Sequence, residues 1–341
     1  MTISGKNPFN LYQKLTLAAL VSVLFLIFVG ATVRVTGAGM GCPDWPTCWG
    51  LLIPPTHVDE VDFDRLPIGK FQKKAERMGR DPQSITRESL REEFNPRHVW
   101  TEFINRLCSL PVGFFAFASF IASFRFRKTR PSVYWLSFVS LLLVLANGLM
   151  GARVVYSGLA PGVLTAHLAL AMLLIGTLTY CVWAGSEHRF TVALKSHGKS
   201  ILLVPLTLLA LIVIEGISGA QIREMTDELA KFHENSPRET WINELENSWL
   251  YLFHRSFSWL ILIFTLWAFW IARRNQSHQP TPTQYAATAI VFAQMFLGLI
   301  MAQIHIYSWV QVLHVGLAAI LLSLVFRWLL VIPRVGTTRS S

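Results

Sequence analysis

Eight runs of about twenty apolar residues constrain this chain more than any other feature; they lie near 15–36, 99–121, 133–155, 162–184, 200–222, 249–271, 285–306 and 309–331. A helix needs about 20 residues to cross the hydrocarbon core of a bilayer. Backbone groups in lipid must be satisfied within a helix or a closed barrel. Barrel strands would alternate in polarity over about 10 residues, and these runs do not alternate. The runs therefore predict an all-α polytopic membrane protein with eight transmembrane helices. At 52% hydrophobic and 15% charged residues over 341 positions, the chain is too apolar for a soluble protein of this length. The first run is too long for a cleaved signal peptide, and no small-residue cleavage pattern follows it. With no arginine-rich transit segment in the sequence, a bacterial inner membrane is expected over an organelle.

The formal net charge of +10 invites a nucleic-acid partner, but its distribution excludes one. Basic residues flank alternate span ends: Lys6 and Lys14, then Arg125, Arg127, Lys128 and Arg130, then Arg189, Lys195 and Lys199. Arg273, Arg274, Arg334 and Arg339 continue the series, whereas the short loops on the other side hold only Arg223, Lys231 and Arg238. Cytoplasmic loops carry the basic excess, so both termini are expected in the cytoplasm. The expected layout is a cytoplasmic N-terminus at 1–14, a four-helix unit at 15–184 with a long outer loop at 37–98, and a cytoplasmic linker at 185–199. A second four-helix unit at 200–331 and a cytoplasmic tail at 332–341 complete it. The long loop carries nine basic and ten acidic residues, so its balance is near neutral. Its helix-like stretch 69–94 has no mechanistic reading beyond a lid or a partner surface.

The spans repeat. NGLMGARVVYS (147–157) aligns with LGLIMAQIHIY (297–307), so that Gly148 meets Gly298 and Ala152 meets Ala302. VLTAHLALAMLL aligns with the run holding His314, placing it opposite His167. EFINRL aligns with YLFHRS, so Asn105 meets His254 and Arg106 meets Arg255; GATVR (30–34) aligns with GAQIR (219–223). The offsets are 150, 147, 149 and 189, the last larger because the first outer loop is longer. A duplicated four-helix unit accounts for all four matches. Four spans return the chain to the same side, so the two bundles are expected in tandem, related by a pseudo-two-fold axis along the membrane normal. The glycines and alanines at the outer ends of odd spans permit close helix approach and leave room for a flat ligand.

Of ten histidines, His57, His98, His188, His197, His233 and His278 read as loop residues, and His305 as interfacial. His167, His254 and His314 lie inside spans, where an ionisable group is costly and marks function. Two imidazoles on facing helices suit haem iron; the plainer alternative is a pair of interhelical hydrogen bonds. His254 and His314 form such a pair, with Arg255 placed to meet a propionate. In the first unit Asn105 faces His167, and Glu102 lies three residues before Asn105 on the same helix face. Glu102 serves there as a proton donor, acceptor or nucleophile, or else as an ion pair with Arg106. Cys42 and Cys48, in GCPDWPTCWG on the outer side, read as a disulfide or a redox-active dithiol; a zinc site lacks ligands.

RVTGAGMGCPDWPTCWG after the first span, EFINRL opening the second, and the histidines opening the fourth, sixth and eighth resemble the heme A synthase family of cytochrome oxidase assembly proteins. The resemblance runs from about residue 15 to 331. It implies a duplicated eight-helix bundle that oxidises a methyl group of haem O to the formyl group of haem A, by two hydroxylations and loss of water. It implies a resident haem b on His254 and His314 and a substrate haem O on His167, near Asn105 and Arg106. It gives Glu102 a catalytic part and matches Cys42 and Cys48 to the family's outer cysteine pair. A heme O synthase and cytochrome oxidase assembly are the implied partners, and a homo-oligomer is compatible. Two departures stand out: Asn105 replaces a frequent family histidine, and residues 223–248 lack the second cysteine pair some members carry. The competing readings are a b-type cytochrome that only carries electrons and a haem-binding assembly chaperone or transporter.

Overall fold

The structure is a computed structural model describing residues 9–333 apart from 78, 80, 161, 188, 196–197, 234–235 and 304–306, and apart from the side chains at 77 and 238. His188, His197, His305, Lys6, Arg334 and Arg339 lie outside the described residues. The described residues hold eleven α-helices and no strand beyond two isolated bridges. They are α1 (Leu11–Val35), α2 (Ile68–Arg77), α3 (Arg87–Glu93), α4 (Pro96–Ser123), α5 (Pro131–Tyr156) and α6 (Val163–Ala184). The rest are α7 (Ser200–Phe232), α8 (Ile242–Glu246), α9 (Trp249–Asn275), α10 (Pro282–Gln303) and α11 (Ser308–Leu330). Eight of these are long and apolar enough to cross a bilayer. The protein is an all-helical, multi-pass membrane protein.

Local chemistry sets the helix starts. Asn10 forms a capping box with Gln13 at α1, and Ser248 accepts from Tyr251 N at α9. Asn95 caps α4 ahead of Pro96, and Pro131 opens α5, each proline where its missing N–H is not needed. Helix ends fall within a few residues of the apolar runs except at α7, which continues ten residues past 222 to Phe232. The sequence ended that span at its polar residues, but Arg223, Glu224 and Asp227 form contacts with α1 and the start of α6 that sustain the helix. His98, expected in a loop, lies in the first turn of α4, and His233 lies at the C-cap of α7.

The first four spans close a ring in which α1 packs on α4, α4 on α5, α5 on α6 and α6 on α1. In the last four, α7 packs on α9, α9 on α10, α10 on α11 and α11 on α7, the same scheme. Between the rings α1 lies on α11, and α6 lies on α7 and α11. The α1–α11 approach depends on Gly316, where a Cβ would lie 2.1 Å from the Phe28 ring. Thr179 Oγ1 and Ser323 Oγ bond across the α6–α11 contact at 2.9 Å.

The segment between α1 and α4 folds as a cap with its own small core of Cys42, Cys48, Trp49, Leu66, Phe71 and Leu90 beside Val99 of α4. Cys42 and Cys48 form a disulfide. Gly41 touches α4 so closely that a Cβ would sit 2.3 Å from the His98 carbonyl oxygen. The helix-like stretch is α2 and α3, separated by a short 3₁₀ turn at Pro82–Ser84.

Candidate functional site

In the second ring His254 and His314 occupy the first two turns of α9 and α11, helices that lie diagonally across the ring. Their ring centroids are 6.4 Å apart, with planes inclined by 66°. A first-row metal bonds imidazole nitrogen at about 2 Å; with about 1 Å from each nitrogen to its ring centre, two trans imidazoles sit about 6 Å apart. The pair therefore has the spacing needed to sandwich an iron. His254 Nδ1 lies 3.0 Å from Ser218 Oγ and 3.3 Å from Glu215 Oε1, both on α7. His314 Nδ1 is buried without a partner, and Gln294 Nε2 donates to the His314 carbonyl at 2.8 Å. Neither Nε2 has a hydrogen-bond partner among the described residues. Gly219 forms the wall beside His254; a Cβ there would lie 3.3 Å from Cε1. Spacing, free Nε2 atoms and a glycine wall all fit haem ligation.

In the first ring Asn105 on α4 and His167 on α6 hold the equivalent diagonal positions. Gly30 lies against Asn105 as Gly219 lies against His254, with a Cβ 3.8 Å from Oδ1. Gly151 of α5 lies against His167, with a Cβ 3.8 Å from Cε1. Asn105 Oδ1 and His167 Nδ1 are buried without partners. The start of α6 has no side-chain cap of its own, since Gly162 stands at N-cap with φ 77°. Glu224 of α7 supplies the cap from the other ring, accepting from Gly162 N and Thr165 N at 3.0 Å each.

Glu102 is 4% exposed, so its partners decide its role. Arg106 donates to its Oε1 at 2.6 Å, and Cys42 N donates to its Oε2 at 2.7 Å. Arg106 also donates to the carbonyls of Thr47 (2.8 Å), Asp44 (3.0 Å) and Cys42 (3.3 Å). The ion pair foreseen as the alternative for Glu102 is thus present, and it clamps the disulfide loop onto α4. Tyr156 of α5 holds the same loop by donating to Trp45 O at 2.5 Å. Lys74 of α2 is buried beside Glu102, Asp44 and Arg106, and its Nζ lies 3.5 Å from Pro43 O. Burial lowers its ammonium to about 8 despite the opposing pull of Glu102 and Asp44. Arg255 is exposed on α9 and has no ion pair among the described residues. The deeper guanidiniums are the repeat-matched Arg34 and Arg223, which share Asp227.

Reading the sequence through its histidines missed Glu215, Ser218, Glu224 and Asp227. Glu215 carried the usable signal: a carboxyl inside an apolar run is as anomalous as an imidazole. The others became legible only once α7 was known to be helical through Phe232.

Fold and site define a polytopic helical membrane protein with two alike four-helix rings, one of which holds a facing histidine pair. The chain belongs to the cytochrome oxidase assembly protein family, which it matches over residues 13–326. It is 28% identical to the heme A synthase of Shewanella oneidensis over 197 residues, 58% of this chain and 52% of that one. It is 26% identical to the heme A synthase of Jannaschia sp. over 327 residues, 88% and 83% of the two chains. With the heme A synthase of Bacillus cereus the identity is 22% over 325 residues, 92% and 90% of the two. The match spans about half the length of the Shewanella and two Geobacillus relatives.

Proposed function

We infer that this protein is a heme A synthase: an oxidoreductase that converts a methyl group of haem O to the formyl group of haem A by successive hydroxylations, for cytochrome oxidase assembly. The observation that carries this reading is the inequality of the rings. One sets His254 and His314 6.4 Å apart between centroids, while the equivalent places in the other hold His167 and Asn105. The first pair would hold an iron with two imidazoles, which suits electron transfer; the second would offer one imidazole only. Resident haem b, when bound, supplies electron transfer at the second ring. His254 and His314 would hold it, with Gly219 leaving space beside the His254 ring.

The substrate, haem O, is held in the first ring by His167, with Gly151 giving clearance beside the imidazole. Asn105 turns a carboxamide toward the side where family relatives often have histidine, and its buried Oδ1 is free to accept. Glu102, a carboxylate accepting at both oxygens, is the group that takes up and passes on a proton in the oxidation once the Arg106 or the Cys42 contact opens. Arg106 ties the Cys42–Cys48 loop onto the outer end of α4 beside Glu102. Arg255, on the exposed face of α9, is assigned to the membrane interface and a propionate. We place the protein in a bacterial inner membrane with both termini cytoplasmic, its two units a tandem pair about an axis along the membrane normal. A heme O synthase is its supplying partner, and it is compatible with a homo-oligomer in the bilayer.

The test is co-expression with a heme O synthase, followed by haem extraction and identification. Haem A in the extract supports the enzyme; haem B and haem O alone, with a redox-active spectrum, sink it in favour of an electron carrier. His254→Ala and His314→Ala are expected to lose the haem b spectrum.

A further inference from the structure

We propose that Glu215, together with Ser218, is the positioning residue that fixes the His254 imidazole and sets the resident haem b at a low reduction potential. This rests on the assignment of haem b to His254 and His314. The two side chains converge on one atom: His254 Nδ1 is 3.0 Å from Ser218 Oγ and 3.3 Å from Glu215 Oε1.

The hydrogen-bond pattern fixes the tautomer. A serine hydroxyl has one hydrogen to give. Ser218 gives it to the Glu215 carbonyl oxygen at 2.9 Å, so toward His254 its oxygen accepts. Nδ1 must then carry the ring hydrogen, which leaves the Nε2 lone pair free to bond iron. Glu215 Oε1, 3.3 Å from the same nitrogen, favours a hydrogen there electrostatically.

Position and cost point to function. Glu215 sits inside a membrane span with its side chain 14% exposed, and its Oε2 is buried without a partner. Such a carboxyl is costly in a bilayer and does nothing for packing that leucine would not do better. The first ring shows that leucine is accommodated there. The offset of 189 that matches Gly219 to Gly30 and Arg223 to Arg34 matches Glu215 to Leu26 and Ser218 to Val29. The acid and the hydroxyl are present where α9 has His254 and absent where α4 has Asn105. Helix packing cannot explain that difference, because α1 packs on α4 as α7 packs on α9.

The electronic consequence has a definite sign. A hydrogen bond from Nδ1–H to the Ser218 oxygen, with the Glu215 carboxyl oxygen close by, pushes electron density toward Nε2 and makes it the stronger donor. A stronger axial donor favours the oxidised iron and lowers its potential. His314 Nδ1 has no such partner, so the whole effect enters from the α7 side. A donor haem poised low gives up its electron readily, as a centre feeding an oxidation in the neighbouring ring must.

The experiment uses the full-length, haem-loaded protein and its Glu215→Gln, Glu215→Leu and Ser218→Ala variants. Haem b content is measured by pyridine haemochrome, the midpoint potential by redox titration, and the ligand field by electron paramagnetic resonance of the oxidised form. Both Glu215 variants are expected to keep haem b with a midpoint shifted positive, further for Leu than for Gln. Ser218→Ala is expected to shift it in the same direction by less. A merely structural role would change haem content and leave the midpoint and the g-values of the bound fraction unmoved. Unmoved values in all three variants overturn the proposal, as does complete loss of haem b from the isosteric Gln variant. Wild-type protein without haem b overturns the haem assignment instead, and the two failures are told apart by that control.

Discussion

The Glu224→Ala substitution tests whether the second ring positions the histidine of the first. Glu224 supplies the acceptors for Gly162 N and Thr165 N, each at 3.0 Å, at a helix start with no cap of its own. Removing a capping acceptor costs roughly 0.5–2 kcal/mol, and losing a negative charge at a helix N-terminus roughly 0.3–1 kcal/mol. Gly162 is exposed, so water recovers part of this, and the net cost of opening the first turn falls at about 1–2 kcal/mol. That corresponds to roughly 5–30-fold faster amide exchange over the turn leading to His167. Hydrogen–deuterium exchange read by mass spectrometry on peptides spanning 162–167, with the protein in nanodiscs, measures it directly. Glu224→Gln keeps one acceptor oxygen and is expected to fall between wild type and Ala. The start of α9, capped by Ser248 within its own chain segment, serves as the unaffected control. Equal exchange at 162–167 in wild type and Glu224→Ala would refute the cross-ring cap.

Replacing Cys42 and Cys48 together by serine opens a loop closed over a separation of 6; it is expected to destabilise the outer cap by about 2 kcal/mol, seen as faster proteolysis within 68–94. Lys74 gives the cap a pH dependence. Its folded-state pKa of about 8 lies below the ordinary lysine value of about 10.4, so between these limits the unfolded chain binds the extra proton and stability rises with pH. Protection of α2 from exchange, corrected for the intrinsic rate, is expected to grow from pH 8 to 10, and Lys74→Met to abolish that growth. Gly219→Ala is expected to disturb the haem b spectrum, since its Cβ would lie 3.3 Å from His254 Cε1. Gly30→Ala, at 3.8 Å from Asn105 Oδ1, is expected to leave first-ring haem content unchanged.

The spans were legible because the solvent dictates them: a run of twenty apolar residues in lipid has one way to satisfy its backbone. The repeat was legible because duplicated positions keep their side chains, as Gly30 and Gly219 or Arg34 and Arg223 do. The end of α7 was not, because Arg223, Glu224 and Asp227 look like a loop until their partners on α1 and α6 are known. Arg106 shows the same limit. The family resemblance put it near the substrate haem; what the pattern did not show is that its donors go to the Cys42, Asp44 and Thr47 carbonyls of a loop about sixty residues away in sequence. Sequence pattern marks which residues are anomalous for their solvent; only the fold says what satisfies them.

The asymmetry of the rings extends beyond one ligand. Restoring a histidine at Asn105 would place an imidazole against Gly30, but the wall of α1 around it carries Leu26 and Val29 where α7 carries Glu215 and Ser218. Its Nδ1–H would find neither the hydroxyl nor the carboxyl that His254 has, and the Nδ1 of His167 is likewise buried without a partner. A buried donor left unmade costs about 1–3 kcal/mol, so such a ring would hold its new ligand weakly and in either tautomer. Three positions, Glu215, Ser218 and His254, thus differ together between the two rings.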